Sequence, residues 1–226
     1  MMIQKKFGSL FIFLLLFVSL GAIVGCGKKD TMQDVPVNVP GNFDDANEYA
    51  TQFPNAEALN IDFDQSKIVW KGGMIVGGDH SGTVEIRKGV VFFENEKVLG
   101  GEFVIDMTTI KDEGGSEKLE EHLKGADFFN VEEFPETTFQ ITLVRETGVK
   151  NVYNISGDLT IKKIKKSIVF PATITQIESG KYDVKANFRI NRTDWNINYN
   201  SNKFFKELGD RAIRDEIEFS LSLQTQ

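Results

Sequence analysis

Cys26, His80 and His122 are the only thiol and imidazole side chains among 226 residues, and they bound the available chemistry at once. One cysteine excludes a disulfide framework and a thiolate zinc site, and two histidines exclude a site built on three. His80 lies in Gly78-Asp79-His80-Ser81-Gly82. Paired with Asp79 or Asp106 inside an apolar fold, it could serve a hydrolase or isomerase acting on a lipid. Ser81 is a poor partner for it, because adjacent strand residues point to opposite faces. A hydrogen-bonded structural role is the simpler one for His80, and for His122 beside Glu121 and Lys124. Glu117, Glu120 and Glu121 fit a solvated helix face. The chain has no Gly-x-Ser-x-Gly elbow, phosphate-cradling loop or dinucleotide fingerprint. Gly72-Gly73, Gly77-Gly78 and Gly100-Gly101 are therefore expected as turn or bulge glycines.

The elements that must position these residues have a period of two. Tyr153, Ile155, Leu159 and Ile161 alternate with polar residues, as do Tyr182, Val184, Ala186, Phe188 and Ile190. Phe139, Ile141 and Leu143 do the same, and so do Ile217, Phe219, Leu221 and Leu223. Strands with one dry and one wet face make a sandwich or a barrel. Shorter strands are expected at 67–71, 83–87, 90–94 and 102–108, giving about eight in an antiparallel meander. Turn chemistry separates them at Glu178-Ser179-Gly180-Lys181, Thr147-Gly148 and Leu99-Gly100-Gly101. Two short helices interrupt the pattern. Ser116 caps one carrying Leu119 and Leu123 on one face, and Asn202 caps another with Phe204, Phe205 and Leu208, closed by Gly209. Both are apolar enough to lie on or over the sheet.

Composition narrows the partners. The 33 acidic residues outweigh 26 basic ones, a net charge of −7, which disfavours a nucleic-acid binder living on phosphate contacts. Phe dominates the aromatics, 19 against four Tyr, and brings apolar area without a hydroxyl that needs a partner. A closed eight-stranded barrel either fills with side chains or holds one small ligand. Any cavity in this one is expected to be dry and aromatic, suited to a hydrocarbon chain.

The first 25 residues read as a sorting segment. Lys5 and Lys6 precede an apolar stretch from Leu10 to Val24, the basic and apolar regions of a secretory signal peptide. It ends Ile23-Val24-Gly25-Cys26, which resembles the lipobox of bacterial lipoproteins. That resemblance implies cleavage before Cys26 and acylation of its sulfur, a palmitate-type anchor. Gly27 follows in place of an inner-membrane retention aspartate, so outer-membrane attachment in the bacterial envelope is expected, facing periplasm or surface. Residues 26–58, with Pro36, Pro40, Gly41 and Pro54, read as a flexible linker apart from one helical turn at 44–50. Residues 59–226 carry the β-rich domain.

The stretch His122-Leu123-Lys124-Gly125-Ala126-Asp127-Phe128-Phe129-Asn130-Val131-Glu132-Glu133-Phe134-Pro135, continued by Thr137-Thr138-Phe139, resembles the signature of the YceI-like family. Val69-Trp70-Lys71-Gly72, Gly100-Gly101-Glu102-Phe103-Val104-Ile105-Asp106-Met107 and Ile190-Asn191-Arg192-Thr193-Asp194-Trp195-Asn196-Ile197 are similar to the same family. The resemblance implies an all-β, elongated, lipocalin-like antiparallel barrel with one or two short helices. It implies a polyisoprenoid or other long-chain amphiphilic lipid as ligand, with no catalysis, no cofactor and no metal. The run Lys162-Lys163-Ile164-Lys165-Lys166 departs from the family by lacking a glycine; it reads as a solvated hairpin tip, or as lysines meeting a phosphate headgroup.

The family gives no catalytic set to carry over. Alternation gives the lining: Trp70, Phe103, Ile105, Phe139, Ile141, Tyr153, Ile155, Phe188, Trp195 and Phe219, with Tyr153 as the polar stop. The expected function is non-enzymatic carriage or sequestration of one long isoprenoid or fatty lipid, by a monomer or a homodimer held to a membrane through acylated Cys26. A lipid-acting enzyme using His80 and a structural lipoprotein with a filled barrel are the rival readings.

Overall fold

The computed structural model describes residues Tyr49–Gln226. The signal segment, Cys26 and the linker up to residue 48 lie outside the described residues. Nine strands follow in chain order: β1 Glu57–Asn60, β2 Lys67–Gly73, β3 Asp79–Glu94, β4 Lys97–Asp112, β5 Glu136–Glu146, β6 Val152–Ile161, β7 Ile164–Glu178, β8 Lys181–Asn191 and β9 Glu216–Gln224. One helix, α1 Glu117–Lys124, stands between β4 and β5. All neighbours are antiparallel, and the β2–β9 and β3–β4 ladders close strands β2 to β9 into an eight-stranded barrel. The two-residue period allows a sandwich or a barrel, and the all-β barrel that the family resemblance implies is the fold observed. The first half of β3 pairs with β2, and its second half, Val90–Phe93, takes β1 as a ninth strand.

Two expected strands, 83–87 and 90–94, are one strand. β3 runs through Gly89, which must stay bare because Ile61 presses within 2.7 Å of where a Cβ would stand. Leu99-Gly100-Gly101 is not a turn but the interior of β4. The reversal falls earlier, at Asn95 and Glu96, both with positive φ, the backbone of a tight hairpin. The glycine at 100 serves packing instead: a Cβ there would meet the Tyr49 hydroxyl at 2.4 Å and the Phe53 ring at 2.7 Å.

Those two aromatics revise the linker. From Tyr49 onward the chain is docked on the barrel's outer face, where Tyr49, Phe53 and Phe92 pack ring to ring with centroids 5.3–5.7 Å apart. The Tyr49 hydroxyl donates to the Ile141 carbonyl at 2.6 Å and accepts from the Gly101 amide at 3.0 Å. It thereby bridges β4 and β5 at the end of their ladder. Tyr49→Phe leaves both backbone groups without that partner, so the urea midpoint should fall by an amount worth about 1–3 kcal/mol.

Glu102 lies buried on the same strand, its carboxylate accepting from Gln140 Nε2 at 2.6 Å. Burial raises its pKa, and the Gln140 bond offsets part of that rise. The folded state therefore holds this proton more tightly than the unfolded chain does. Stability should fall as pH climbs from the ordinary glutamate range through the raised value. Glu102→Gln should melt above the parent near neutral pH, and the gain should vanish in acid; parallel thermal melts check it.

The second expected helix does not form. Ser201 accepts from the amides of Phe204 and Phe205, closing a single turn. Glu207 then takes a left-handed conformation (φ 66°) that no helix continues. Gly209–Arg211 is a short 3₁₀ turn, and Phe204 and Phe205 stay about half exposed instead of packing on the barrel. The β6–β7 turn is two residues long, with Lys162 and Lys163 both at positive φ. Its lysines grip the chain: Lys162 Nζ donates to the Phe128 carbonyl at 3.0 Å, and Lys163 sits 5.3 Å above the Phe134 ring.

Pro36–Gln226 separates as one compact unit, and its described part closes its own barrel around its own core. Such a unit carries what it needs to fold alone.

Candidate functional site

Alternation turns one face of every strand inward, but the side chains do not fill the interior. A cavity of about 390 Å³ remains, within the range of small-molecule sites. Its wall is aliphatic and aromatic throughout the barrel, and the polar residues that border it are His80, Thr137, Arg192 and Arg214. Phe103, Phe139, Phe170, Phe188 and Phe219 form a band across neighbouring strands, with successive ring centroids 4.3–6.3 Å apart. β6 contributes no ring to this band; it contributes Gly157. A Cβ there would stand 2.3 Å from Phe139, so the bare backbone lets Phe139 reach across to Phe170.

One end is closed and the other is lidded. At the end holding the β3–β4 and β7–β8 turns, Phe93 and Tyr182 are buried and stack at 4.0 Å. At the opposite end α1 lies over the barrel, turning Leu119 and Leu123 into the cavity wall. Ser116 caps this helix as its sequence predicts, its Oγ accepting from the Leu119 amide at 3.3 Å. Glu120 ties the helix to β4 by accepting from Lys111 Nζ at 2.9 Å and the Asp112 amide at 3.0 Å. The Lys111 bond, then the Asp112 amide, hold the Glu120 carboxyl below its ordinary range. Phe128 and Phe129 extend the lid. The wall reaches solvent beside it, at Met74, which is 39% exposed, and at the side chains of His80 and Arg214, 48% and 40% exposed.

This mouth is polar. His80 Nδ1 lies 3.3 Å from the buried Asp112 carboxylate, whose other oxygen accepts from the Ser116 amide. Asp79 is held instead by Lys71 at 3.0 Å and by Arg214. Lys71 first, then Arg214, lower its pKa. Asp106 accepts from Thr108, its amide and its hydroxyl alike. Neither carboxylate proposed to pair with His80 does so, and Ser81 Oγ donates to Glu113. His122 is separate, 3.2 Å from Asp127 and edge-on to Phe128 and Tyr199.

Of the lining residues named from alternation, Trp70, Phe103, Ile105, Phe139, Ile141, Ile155, Phe188 and Phe219 border the cavity. Two stand elsewhere. Trp195, 1% exposed, lies on a 3₁₀ turn (Arg192–Trp195) beyond the strand end. There it donates through Nε1 to the Leu159 carbonyl at 3.2 Å within a second core cluster. Tyr153 packs half-buried against the main core, while its register partner Ala172 takes the wall position. The polar side chains that border the cavity lie at the mouth, and Tyr153 is not among them. Residues 192–215 supply their most buried member: Arg192, 1% exposed, donates to the carbonyls of Arg214, Ile197 and Ile213 and to Asp215. Burial lowers its pKa, and Asp215 opposes that shift. Its signals in the sequence were a charged residue just past an alternating strand and its place in the family-like run from Ile190 to Ile197.

A closed antiparallel barrel around an apolar cavity, lidded by a helix, is a lipocalin-like architecture. Residues 59–225 match the family model for the YceI-like domain, and the chain belongs to that family. A UPF0312 protein of Pseudomonas putida (strain W619) is 29% identical over 92 residues, which are 41% of this chain and 47% of that protein. One from Azotobacter vinelandii is 28% identical over 91 residues, again 47% of its length. The chain thus spans about half the length of these curated relatives. Among solved structures, Burkholderia cenocepacia BcnA superposes with a TM-score of 0.58 at 20% identity, covering 74% of this chain and 99% of BcnA. A polyisoprenoid-binding domain from Saccharophagus degradans gives 0.57 at 9% identity, covering 74% and 97%. At such identities the likeness is one of fold.

Proposed function

We propose that this protein binds one polyisoprenoid or other long-chain amphiphilic lipid in the barrel, and carries or sequesters it without turnover. The observation that supports this reading is the wall itself: a 390 Å³ cavity whose polar groups are gathered at one end. Hydrophobic transfer gives roughly 0.8 kcal/mol per buried CH₂, so one five-carbon unit contributes about 3–4 kcal/mol gross. The polar mouth, with His80, Arg214 and Lys71, suits the oxygen-bearing head of such a molecule. The Saccharophagus relative, described as polyisoprenoid-binding, has the same fold and supports the same cargo class. The same reading takes the sorting segment and Cys26 as an acyl anchor to an envelope membrane, the outer membrane being the site that Gly27 after the cysteine favours.

The test is mass spectrometry of organic extracts from Pro36–Gln226 produced in a bacterial periplasm, with native mass spectrometry for stoichiometry. One isoprenoid or fatty chain per protein is the expected result. A lipid-free protein that also fails to bind added quinones and polyprenyl lipids would overturn the reading.

A further inference from the structure

We infer that the loops flanking the cavity mouth form an apolar lip that seats the barrel on a lipid bilayer. Nine large hydrophobic side chains are exposed among the described residues, and five of them lie on two adjoining loops. Met74, Ile75 and Val76 form the β2–β3 turn and are 39%, 51% and 58% exposed; Phe204 and Phe205, at 50% and 49%, crown the loop between β8 and β9. The loops are zipped together. Ile75 donates its amide to Ala212 O, Arg214 to Gly73 O, and Met74 bridges to Ile213. Concentrated exposure of this kind marks an interaction surface, whereas scattered apolar residues do not.

Three observations favour a bilayer as the occupant. The lip is continuous with the mouth, since Met74 belongs both to it and to the cavity wall. Its aromatic loop is locally cationic in an acidic chain: Lys203, Lys206 and Arg211 stand against Glu207 and Asp210. Lys203 Nζ lies 5.4 Å above the Phe204 ring, placing an ammonium group beside an exposed aromatic, the pairing of a side chain at a headgroup boundary. The chain before the barrel is also long enough. Cys26 precedes Tyr49 by 23 residues, a reach of about 80 Å at full extension. The longest strands, 16 residues, span only about 53 Å. An anchor at Cys26 therefore leaves the lip free to turn onto the same membrane. This last argument rests on the anchored-carrier reading; the first two stand without it.

The test is flotation of Pro36–Gln226 with phosphatidylcholine vesicles and with phosphatidylethanolamine–phosphatidylglycerol vesicles. The parent should float with both. The Phe204→Ser/Phe205→Ser variant should lose about tenfold or more in partition, and Ile75→Ser several-fold. Val149→Ser/Val169→Ser, which removes exposed apolar groups away from the lip, should change it less than about twofold. Lipid extracted from each variant distinguishes the two proposals: the lip variants should retain cargo. A parent that stays unbound in both vesicle types overturns the inference, as does a control pair that loses as much as the lip pair. A dimer in solution that Phe204→Ser/Phe205→Ser dissociates, with no flotation of the parent, overturns it too and assigns the lip to a second copy.

Discussion

Arg192→Met should destabilise the barrel by about 3–5 kcal/mol, the range for removing one member of a buried, hydrogen-bonded charge system. The guanidinium is the hub of the 192–215 segment. Its Nε bonds the Arg214 carbonyl at 3.0 Å, Nη1 the Ile197 carbonyl at 2.7 Å, and Nη2 the Ile213 carbonyl and the Asp215 carboxylate, each at 3.2 Å. Methionine keeps the apolar stem of the side chain but leaves three backbone carbonyls without this donor and Asp215 without its counter-ion. A Lys substitution restores the charge but not the planar fork that reaches several carbonyls at once. Chemical denaturation measures the loss. Limited proteolysis should locate it, with new cleavage between Tyr199 and Arg211 before the strands are cut. A variant within about 1 kcal/mol of the parent would show that the segment is held by its strand pairings alone.

Ala186→Phe should reduce affinity for a long isoprenoid chain by a hundredfold or more while leaving the barrel folded. Ala172 and Ala186 face one another across β7 and β8, are 2% and 4% exposed, and border the cavity. A cavity that accepts benzene is of order 150 Å³, so an added phenyl group occupies more than a third of 390 Å³. Displacing one five-carbon unit of cargo removes about 3–4 kcal/mol, which is that hundredfold. The ring enters existing space, so the usual cost of overpacking should be small. Titration with a fluorescent polyprenyl or quinone probe, alongside a thermal melt, separates blocked binding from misfolding. Unchanged affinity would mean the cargo lies elsewhere.

The barrel was legible in the sequence because alternation is a local signal: β6, β8 and β9 each declare their dry face in consecutive residues. The Ser116 cap was legible for the same reason. What escaped depends on partners distant in the chain. Gly100 looks like a turn until Tyr49 and Phe53, some fifty residues earlier, are seen lying on it. Leu143 looked inward by parity, but a bulge between Ile141 and Leu143 shifts the register, and Val144 packs on the core instead. Phe204, Phe205 and Leu208 have helical spacing, yet the segment is tied at both ends, by Arg192 and by the Asn200–Ile213 pairing, into a path that a helix cannot follow. The site was half visible: the aromatic wall could be read from parity, whereas His80 finding Asp112 needed the closure of β3 against β4.

The Phe93–Tyr182 stack makes the cavity a blind sac rather than a tunnel. A molecule drawn in through the lidded end must back out by the route it entered. No newcomer can push it forward, and none can be admitted while it occupies the passage. Exchange is then paced by spontaneous withdrawal, whatever the concentration of the competitor outside. On the carrier reading proposed above, such a vessel would deliver by visiting one surface at a time, like a ferry with a single ramp.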